Sequence, residues 1–251
     1  NPKKFFQFVK HKRGGTNLPS SMTYGATNVS GAQNIVDAFA RYFQSTYTTR
    51  VDHERVDNMP TTVGNSIVLT DVSSDHVIKA ITKLKANNVK GPDGFPAFFI
   101  ADCGGVLSEP LSIIFNLCIR SGVFPNIWKL SKIIPIYKSK DRNCVENYRP
   151  VSLINSFAKI FECLIYDQLY FQVSNYISPY QHGFMHGRST VTNLLCITQF
   201  IADSIDDGCQ TDVIYLDLSK AFDKLDHTLL VDKLYSFGCC PRLIKLFTSY
   251  L

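Results

Sequence analysis

The run Val213-Ile214-Tyr215-Leu216-Asp217-Leu218-Ser219-Lys220-Ala221-Phe222-Asp223-Lys224-Leu225-Asp226-His227 constrains this chain more than any other stretch. Four consecutive apolar residues, Val213 to Leu216, leave no solvent face and read as a buried strand. A carboxylate at the end of such a strand stands where a hard divalent cation can be held by one or two carboxylates plus substrate phosphates. The same Asp217 also fits as the cap of a helix opening near Ser219. On the residues alone both readings stand. Asp223 and Asp226 read as surface or structural carboxylates, and His227-Thr228 as the start of the next helix.

A second concentration of chemistry lies upstream. Between Lys129 and Arg149 there are six basic residues against two acidic ones, Asp141 and Glu146. A strand over Leu130 to Tyr137 and the loop after it therefore carry a surplus of four positive charges, suited to a polyphosphate or a nucleic-acid backbone. Arg149 offers a planar fork to phosphate oxygens. Lys138 or Lys140 would add a second contact, and a solvated loop explains both lysines equally well.

The rest of the chain is organised around helices. Residues 1 to about 30 are polar and rich in Gly and Ser, and read as a linker. An amphipathic helix over Ala32 to Tyr47 puts Ile35, Phe39, Tyr42 and Phe43 on one stripe. Irregular structure is expected over residues 48–70. A helix from Ser74 to Asn88 turns Val77, Ile78, Ile81 and Leu84 inward and ends at the Lys90-Gly91-Pro92-Asp93-Gly94 turn. Further helices are expected over Leu107 to Ser121, closed by Gly122, and over Phe157 to Val173, burying Ile160, Phe161, Leu164 and Ile165. Ser189 opens another that runs to Asp206, and two more start at His227 and Pro241. With the strand near Ile133 to Tyr137 and the strand before Asp217, the fold class is α/β.

Composition adds exclusions. No apolar run approaches the roughly 20 residues that span a bilayer, and the first residues lack the apolar core of a signal peptide. The eight cysteines show no Cys-x-x-Cys pair, and are expected to be reduced thiols of an intracellular protein rather than a disulfide framework or a zinc site. Lys3, Lys4, Lys10, Lys12 and Arg13 account for the whole net charge of +5, so the first residues form either a nucleic-acid-tracking arm or a solvated linker.

The wording of several blocks resembles one family. Asp217-Leu218-Ser219-Lys220-Ala221-Phe222-Asp223 followed by Leu225-Asp226-His227 is similar to the first catalytic palm motif of reverse transcriptases from non-LTR (LINE-like, jockey-like) retrotransposons. The turn at Lys90 to Gly94 resembles the one at the entry to the fingers of that family. Trp128 to Asp141 and Asn147 to Leu153 resemble its two fingers motifs, the second continued by Lys159 and Glu162. Gln181-His182-Gly183-Phe184 with Gly187-Arg188-Ser189-Thr190 resembles the block that precedes the palm motif. The resemblance covers roughly Val72 to Leu251.

It implies a right-hand polymerase: a leading region over residues 1–70, fingers over 71–210 and the start of the palm over 211–251. It makes Asp217 a catalytic ligand of Mg²⁺, two ions in the complete protein, with the Leu218 carbonyl beside it. Phe222 becomes the steric gate against a 2′-hydroxyl, an ordinary core aromatic being the other reading. Lys138, Lys140 and Arg149 become nucleotide-binding residues. Gln181, Phe184 and Arg188 are assigned to template or primer, with packing roles for the first two and a carboxylate cap for Arg188 as alternatives. The implied partners are an RNA template, a DNA primer and dNTPs, with no membrane, and the implied location of the parent element is nucleus and cytoplasm. The family pattern also calls for an aromatic-x-Asp-Asp turn downstream of Asp217, and none occurs before Leu251. Asp206-Asp207-Gly208 precedes the palm strand and reads as a helix end with a Gly turn. The second half of the palm and the thumb are thus expected to be absent, and to be supplied by the missing C-terminal part of the same polyprotein. The chain alone is then expected to be inactive. The competing reading is a non-catalytic nucleic-acid-binding relative, decayed or domesticated.

Overall fold

A computed structural model describes Pro2 and residues 18–47, 67–84 and 88–251. The expected basic arm, Lys3 to Arg13, lies outside the described residues. The fold is a mixture of helices and short antiparallel ribbons, as the α/β reading expects.

The first ribbon pairs β1 (Ser21–Tyr24) with β2 (Thr27–Ser30) around a turn where Gly25 takes φ +59°. It is followed by α1 (Ala32–Gln44), which buries Ile35, Ala38, Phe39 and Phe43 along one stripe. These residues close a small core with Met22, Val145 and Tyr148. Backbone bonds fix the ribbon there: Thr23 N–H donates to Asn143 O at 2.7 Å, and Gly25 N–H to the Glu146 carboxylate at 2.8 Å. Residues 21–30 are therefore a docked hairpin and not the linker expected from their polarity. Met22 is the single fully buried side chain in two four-residue strands, too little for an apolar pattern to register.

The main core is helical. α2 (Ser74–Thr82) opens with a reciprocal cap in which Ser73 Oγ accepts from His76 N–H and His76 Nδ1 accepts from Ser73 N–H. It stops well short of Asn88, because Lys83 and Leu84 N–H turn to the carbonyls three residues back and tighten the last turn. Val77 and Ile81 are buried as expected, whereas Ile78 is exposed. α3 (Ala97–Asp102) leads into α4 (Gly104–Ser121), closed by Gly122 at φ +65°. After α5 (Asn126–Lys129), β3 (Ser131–Tyr137) pairs antiparallel with β4 (Tyr148–Ile154). α6 (Ser156–Val173) is capped by Asn155, whose side chain accepts from Phe157 N–H at 2.7 Å. Its Phe161 stacks on Phe115 of α4 with centroids 5.1 Å apart, inside a ring set completed by Phe124 and Trp128.

The chain ends in three helices: α7 (Thr190–Asp206), α8 (His227–Ser236) and α9 (Pro241–Tyr250). Asp206 and Asp207 lie at the end of α7, before Gly208 at φ +71°, as expected of a helix end and Gly turn. Asp226 caps α8, accepting from Leu229 N–H at 2.9 Å.

One expectation fails here. Val213 to Leu216 form no strand: they are irregular and belong to no ladder, with Ile214, Tyr215 and Leu216 more than four-fifths exposed. Apolar sequence supplies the side chains of a strand, but a strand exists only against a neighbour that takes its N–H and C=O groups. Among the described residues none lies alongside. Nor does a helix open near Ser219, since residues 219–224 are a succession of turns.

Two measurements probe this framework. A Cβ on Gly91 would lie 2.9 Å from Ile154 O and 3.1 Å from Asn155 Cα, both backbone atoms that cannot swing away. Gly91→Ala is expected to lower stability by about 1–3 kcal/mol, read as a lower urea midpoint at unchanged slope. The second concerns Glu162 on α6, which accepts from the Tyr250 hydroxyl of α9 at 3.0 Å. Burial pushes the Glu162 carboxyl above the ordinary glutamate range, partly offset by Tyr250 and Lys159. Burial and the Glu162 charge likewise push Tyr250 to about 12. Because the folded state holds the Glu162 proton more tightly, this contribution is fully present below the ordinary glutamate pKa. It is lost as pH rises through the higher folded value. Glu162→Gln should flatten that limb of a stability–pH curve measured by chemical denaturation, and an unchanged limb would refute the assignment.

Candidate nucleotide and nucleic-acid interface

The β3–β4 ribbon sorts the basic residues by face. Cross-strand partners share a face, so Ile136 with Arg149, Ile134 with Val151 and Lys132 with Leu153 form one side. On the other side Tyr137 and Tyr148 meet edge to face at 5.6 Å and anchor the ribbon to the small core. Arg149, Ile136, Val151 and Lys132 are exposed. The pairing thus adds Lys132 to the expected set, a residue that sequence reasoning counted as charge but did not place, because β4 was not read as a strand. Beyond the ribbon, Lys138 N–H donates to Asn147 O at 2.9 Å. Lys140 takes φ +72°, its carbonyl accepting from the Tyr137 hydroxyl. Arg142 lies over the Tyr137 ring at 5.0 Å. The loop backbone is thereby ordered while the Lys138 and Lys140 side chains remain in solvent.

The segment before α7 is a tied loop. Arg188 donates to the carbonyls of Pro179 and Gln181, the latter at 2.7 Å. The Gln181 side chain donates to Gly183 O at 3.1 Å. His186 N–H donates to the Tyr170 hydroxyl of α6, with their rings 4.6 Å apart, and His182 Nδ1 lies 3.0 Å from Thr192 Oγ1. Arg188 therefore spends donors on main-chain carbonyls, and no carboxylate faces it among the described ion pairs. The loop presents Phe184, 85% exposed and held at φ +62°, a conformation that a bulky residue seldom adopts.

Asp217 and Leu218 lie on the unpaired segment, both exposed, ahead of the turns that carry Lys220 and Phe222. Two contacts hold those turns. The Lys220 ammonium sits 4.7 Å above the Tyr42 ring of α1, and Phe222 meets Phe184 edge to face at 6.2 Å. The candidate gate Phe222 is thus brought against the loop of Gln181 and Arg188, a pairing that sequence spacing gave no means to find. No hydrogen bond, ion pair or ring contact joins Asp217 to Lys138, Lys140 or Arg149 among the described residues. Likewise, among these residues no three His, Cys, Asp or Glu side chains converge on a metal-sized site.

Comparison with known proteins explains this combination. Residues 136–251 match the family model described as reverse transcriptase (RNA-dependent DNA polymerase), a span that holds Arg149, the Gln181–Arg188 loop, Asp217 and Phe222. A relative from Drosophila melanogaster, named "Probable RNA-directed DNA polymerase from transposon BS", is 28% identical over 82% of this chain and 24% of its own length. The RNA-directed DNA polymerase from mobile element jockey of the same species is 31% identical over 67% of this chain and 19% of its own. The Pol polyprotein from the type-1 retrotransposable element R1 of Bradysia coprophila is 25% identical over 65% of this chain and 16% of its own. The chain spans a quarter or less of the length of these relatives. Over residues 136–251 the chain is thus similar to reverse transcriptases, and the relatives it matches are named as RNA-directed DNA polymerases or Pol polyproteins of mobile elements.

Proposed function

We propose that this chain is the fingers and the first part of the palm of an RNA-directed DNA polymerase that copies an RNA template from a DNA primer with dNTPs. The observation that carries this reading is the family match over a span where the Asp217–Phe222 motif, the Gln181–Arg188 loop and Arg149 occur together. The division is fingers over residues 71–210 and palm from 211, with the hairpin and α1 buttressing the fingers through Val145 and Tyr148.

In this reading each residue has a chemical task. Arg149, with Lys132 on the same ribbon face and Lys138 and Lys140 in the loop between the two strands, grips the triphosphate of the incoming nucleotide and the nucleic-acid backbone through charge-assisted bonds. Phe222 lies under the sugar and leaves no room for a 2′-hydroxyl. The Gln181–Arg188 loop, stiffened by its own hydrogen bonds, faces template or primer. Asp217 and the Leu218 carbonyl are hard oxygen donors of the kind Mg²⁺ takes. Magnesium, when bound, supplies the charge that positions the primer 3′-hydroxyl and the leaving pyrophosphate. Asp217 is a single carboxylate, and we propose that the further carboxylates of such a site, with the strands that pair Val213 to Leu216, come from sequence beyond this chain. The parent element would then act in nucleus and cytoplasm.

Two outcomes test this. The purified chain is expected to bind an RNA–DNA hybrid with affinity that falls with salt, and Arg149→Ala should lower the slope of log K against log[salt] by about 1. An unchanged slope in a fluorescence anisotropy titration would remove Arg149 from the interface. The same chain with Mg²⁺ should not extend a DNA primer on RNA. Extension that Asp217→Ala abolishes would show that one palm carboxylate suffices.

A further inference from the structure

Tyr42 of α1 touches both halves of the candidate interface. Its hydroxyl donates to Glu146 O at 3.0 Å, and its ring lies 4.7 Å from the Lys220 ammonium. Glu146 stands shortly before Arg149 in the chain, and Lys220 stands between Asp217 and Phe222. Among the hydrogen bonds, ion pairs and ring contacts of the described residues, Tyr42 is the side chain that links the base of the β3–β4 ribbon to the Asp217 turn.

The two ends of this link differ. The hydroxyl end meets a backbone that is already fixed. Thr23 N–H holds Asn143 O at 2.7 Å, and the Glu146 carboxylate accepts from Gly25 N–H at 2.8 Å and from Cys144 Sγ at 2.9 Å. Phe39 meets Tyr148 edge to face at 5.1 Å. Tyr42 itself is set among rings, 5.5 Å from Phe43 and 6.2 Å from Tyr24. The ring end meets a backbone without a ladder. Lys220 takes φ +54°, a conformation that a residue with a side chain seldom adopts, and its carbonyl accepts from Lys224 N–H at 3.0 Å. Such a turn persists where its surroundings hold it. The surroundings here are two: Lys220 rests on α1, and Phe222 rests on Phe184 of the Gln181–Arg188 loop. One contact alone would leave the turn free to pivot, whereas two contacts on separate elements fix its orientation. Tyrosine suits the place because it joins an aromatic face to a polar tip. Phenylalanine would supply the face alone, and leucine neither.

We propose that Tyr42 is a positioning residue, a strut that sets the separation between the Arg149 ribbon and the Asp217–Phe222 turn. The purpose of the strut rests on the polymerase reading: a triphosphate gripped at Arg149 and a cation held at Asp217 must belong to one nucleotide. Its existence as a strut does not rest on that reading.

The test uses the full chain with ¹³C at the lysine ε-carbons and, in a second sample, 4-fluorophenylalanine placed at Phe222. The ring current of Tyr42 should displace the Lys220 ε-methylene resonance upfield of the other lysines, the signal being assigned by its loss in Lys220→Arg. Tyr42→Phe should keep that displacement and the fluorine frequency, while the Asn147 amide exchanges at least threefold faster. Tyr42→Leu should abolish the displacement and move the fluorine resonance towards that of the free amino acid. Lys220→Met should move the fluorine in the same way and leave Asn147 exchange unchanged. A Lys220 methylene at the frequency of the other lysines overturns the proposal. So does a fluorine resonance that neither Tyr42→Leu nor Lys220→Met moves, or an Asn147 amide indifferent to Tyr42→Phe. Should Tyr42→Leu not fold, Lys220→Met at an exposed position and Tyr42→Phe decide. Binding of an RNA–DNA hybrid is titrated on the same samples. Its absence from the unmodified chain would strike the polymerase reading and leave the strut to be judged by the resonances.

Discussion

Burial of one helix face organises everything else in this molecule. α6 sets Phe161, with no solvent exposure, against Phe115, Phe124 and Trp128. Rings packed at 5–6 Å tolerate little displacement, because losing one leaves a cavity that its neighbours cannot fill. With that face fixed, the other faces of the same helix become a scaffold. Glu162 reaches α9, Gln168 and Gln172 hold residues 68–70, and Tyr170 receives the loop of His186. The loop carrying Phe184 thus inherits its position from an aromatic cluster that has no chemistry of its own.

The candidate interface is held in a different way. The β3–β4 ribbon is fixed by a ladder and by Tyr137 and Tyr148, so Arg149 projects from a rigid element. The Asp217 segment has no ladder. Lys220 over Tyr42 and Phe222 against Phe184 are its contacts with the body, each worth about 1 kcal/mol. Contacts of that size orient a segment without locking it. In the proposed reading this suits a motif that further strands and a bound nucleotide complete.

The longer helices were legible in the sequence because most carry boundary signals, although α1 and α2 end earlier than their apolar pattern suggests and the short α3 and α5 carry too little pattern to register. Ser73 and Ser189 form caps, Gly122 adopts the left-handed turn, Pro241 opens α9, and the apolar stripes of α1 and α6 are buried apart from Tyr42 and Ile165, which are half-buried. The ribbons were harder. β1–β2 hides one apolar anchor among polar residues, and Pro150 and Ser152 of β4 mask its strand pattern. The opposite error arose at Val213 to Leu216, where hydrophobicity was read as structure. A helix satisfies its own backbone, so its pattern is local. A strand is half of an interaction, and its sequence says nothing of whether the other half is present.

The same distinction separates what was legible of the site. Residue types were readable, since a carboxylate, a fork of donors and an aromatic have chemistry wherever they stand. Surroundings were not, and Arg149 and Arg188 show why they matter. Both are arginines in family-like blocks, Arg149 read as a triphosphate ligand and Arg188 as either a template-phosphate contact or a carboxylate cap. Arg188 is enclosed by a loop whose carbonyls point inward, and it neutralises their partial charge by donating to two of them. Arg149 stands opposite Ile136 on an exposed ribbon face, where among the described residues no carbonyl or carboxylate takes its fork. A guanidinium already committed to main chain can lend few donors to a ligand, whereas an exposed, uncommitted one can exchange its water for an anion at all of its donors. In the proposed reading Arg149 is therefore the better placed of the two to take a triphosphate, and the Gln181–Arg188 loop is the structured wall beside Phe222.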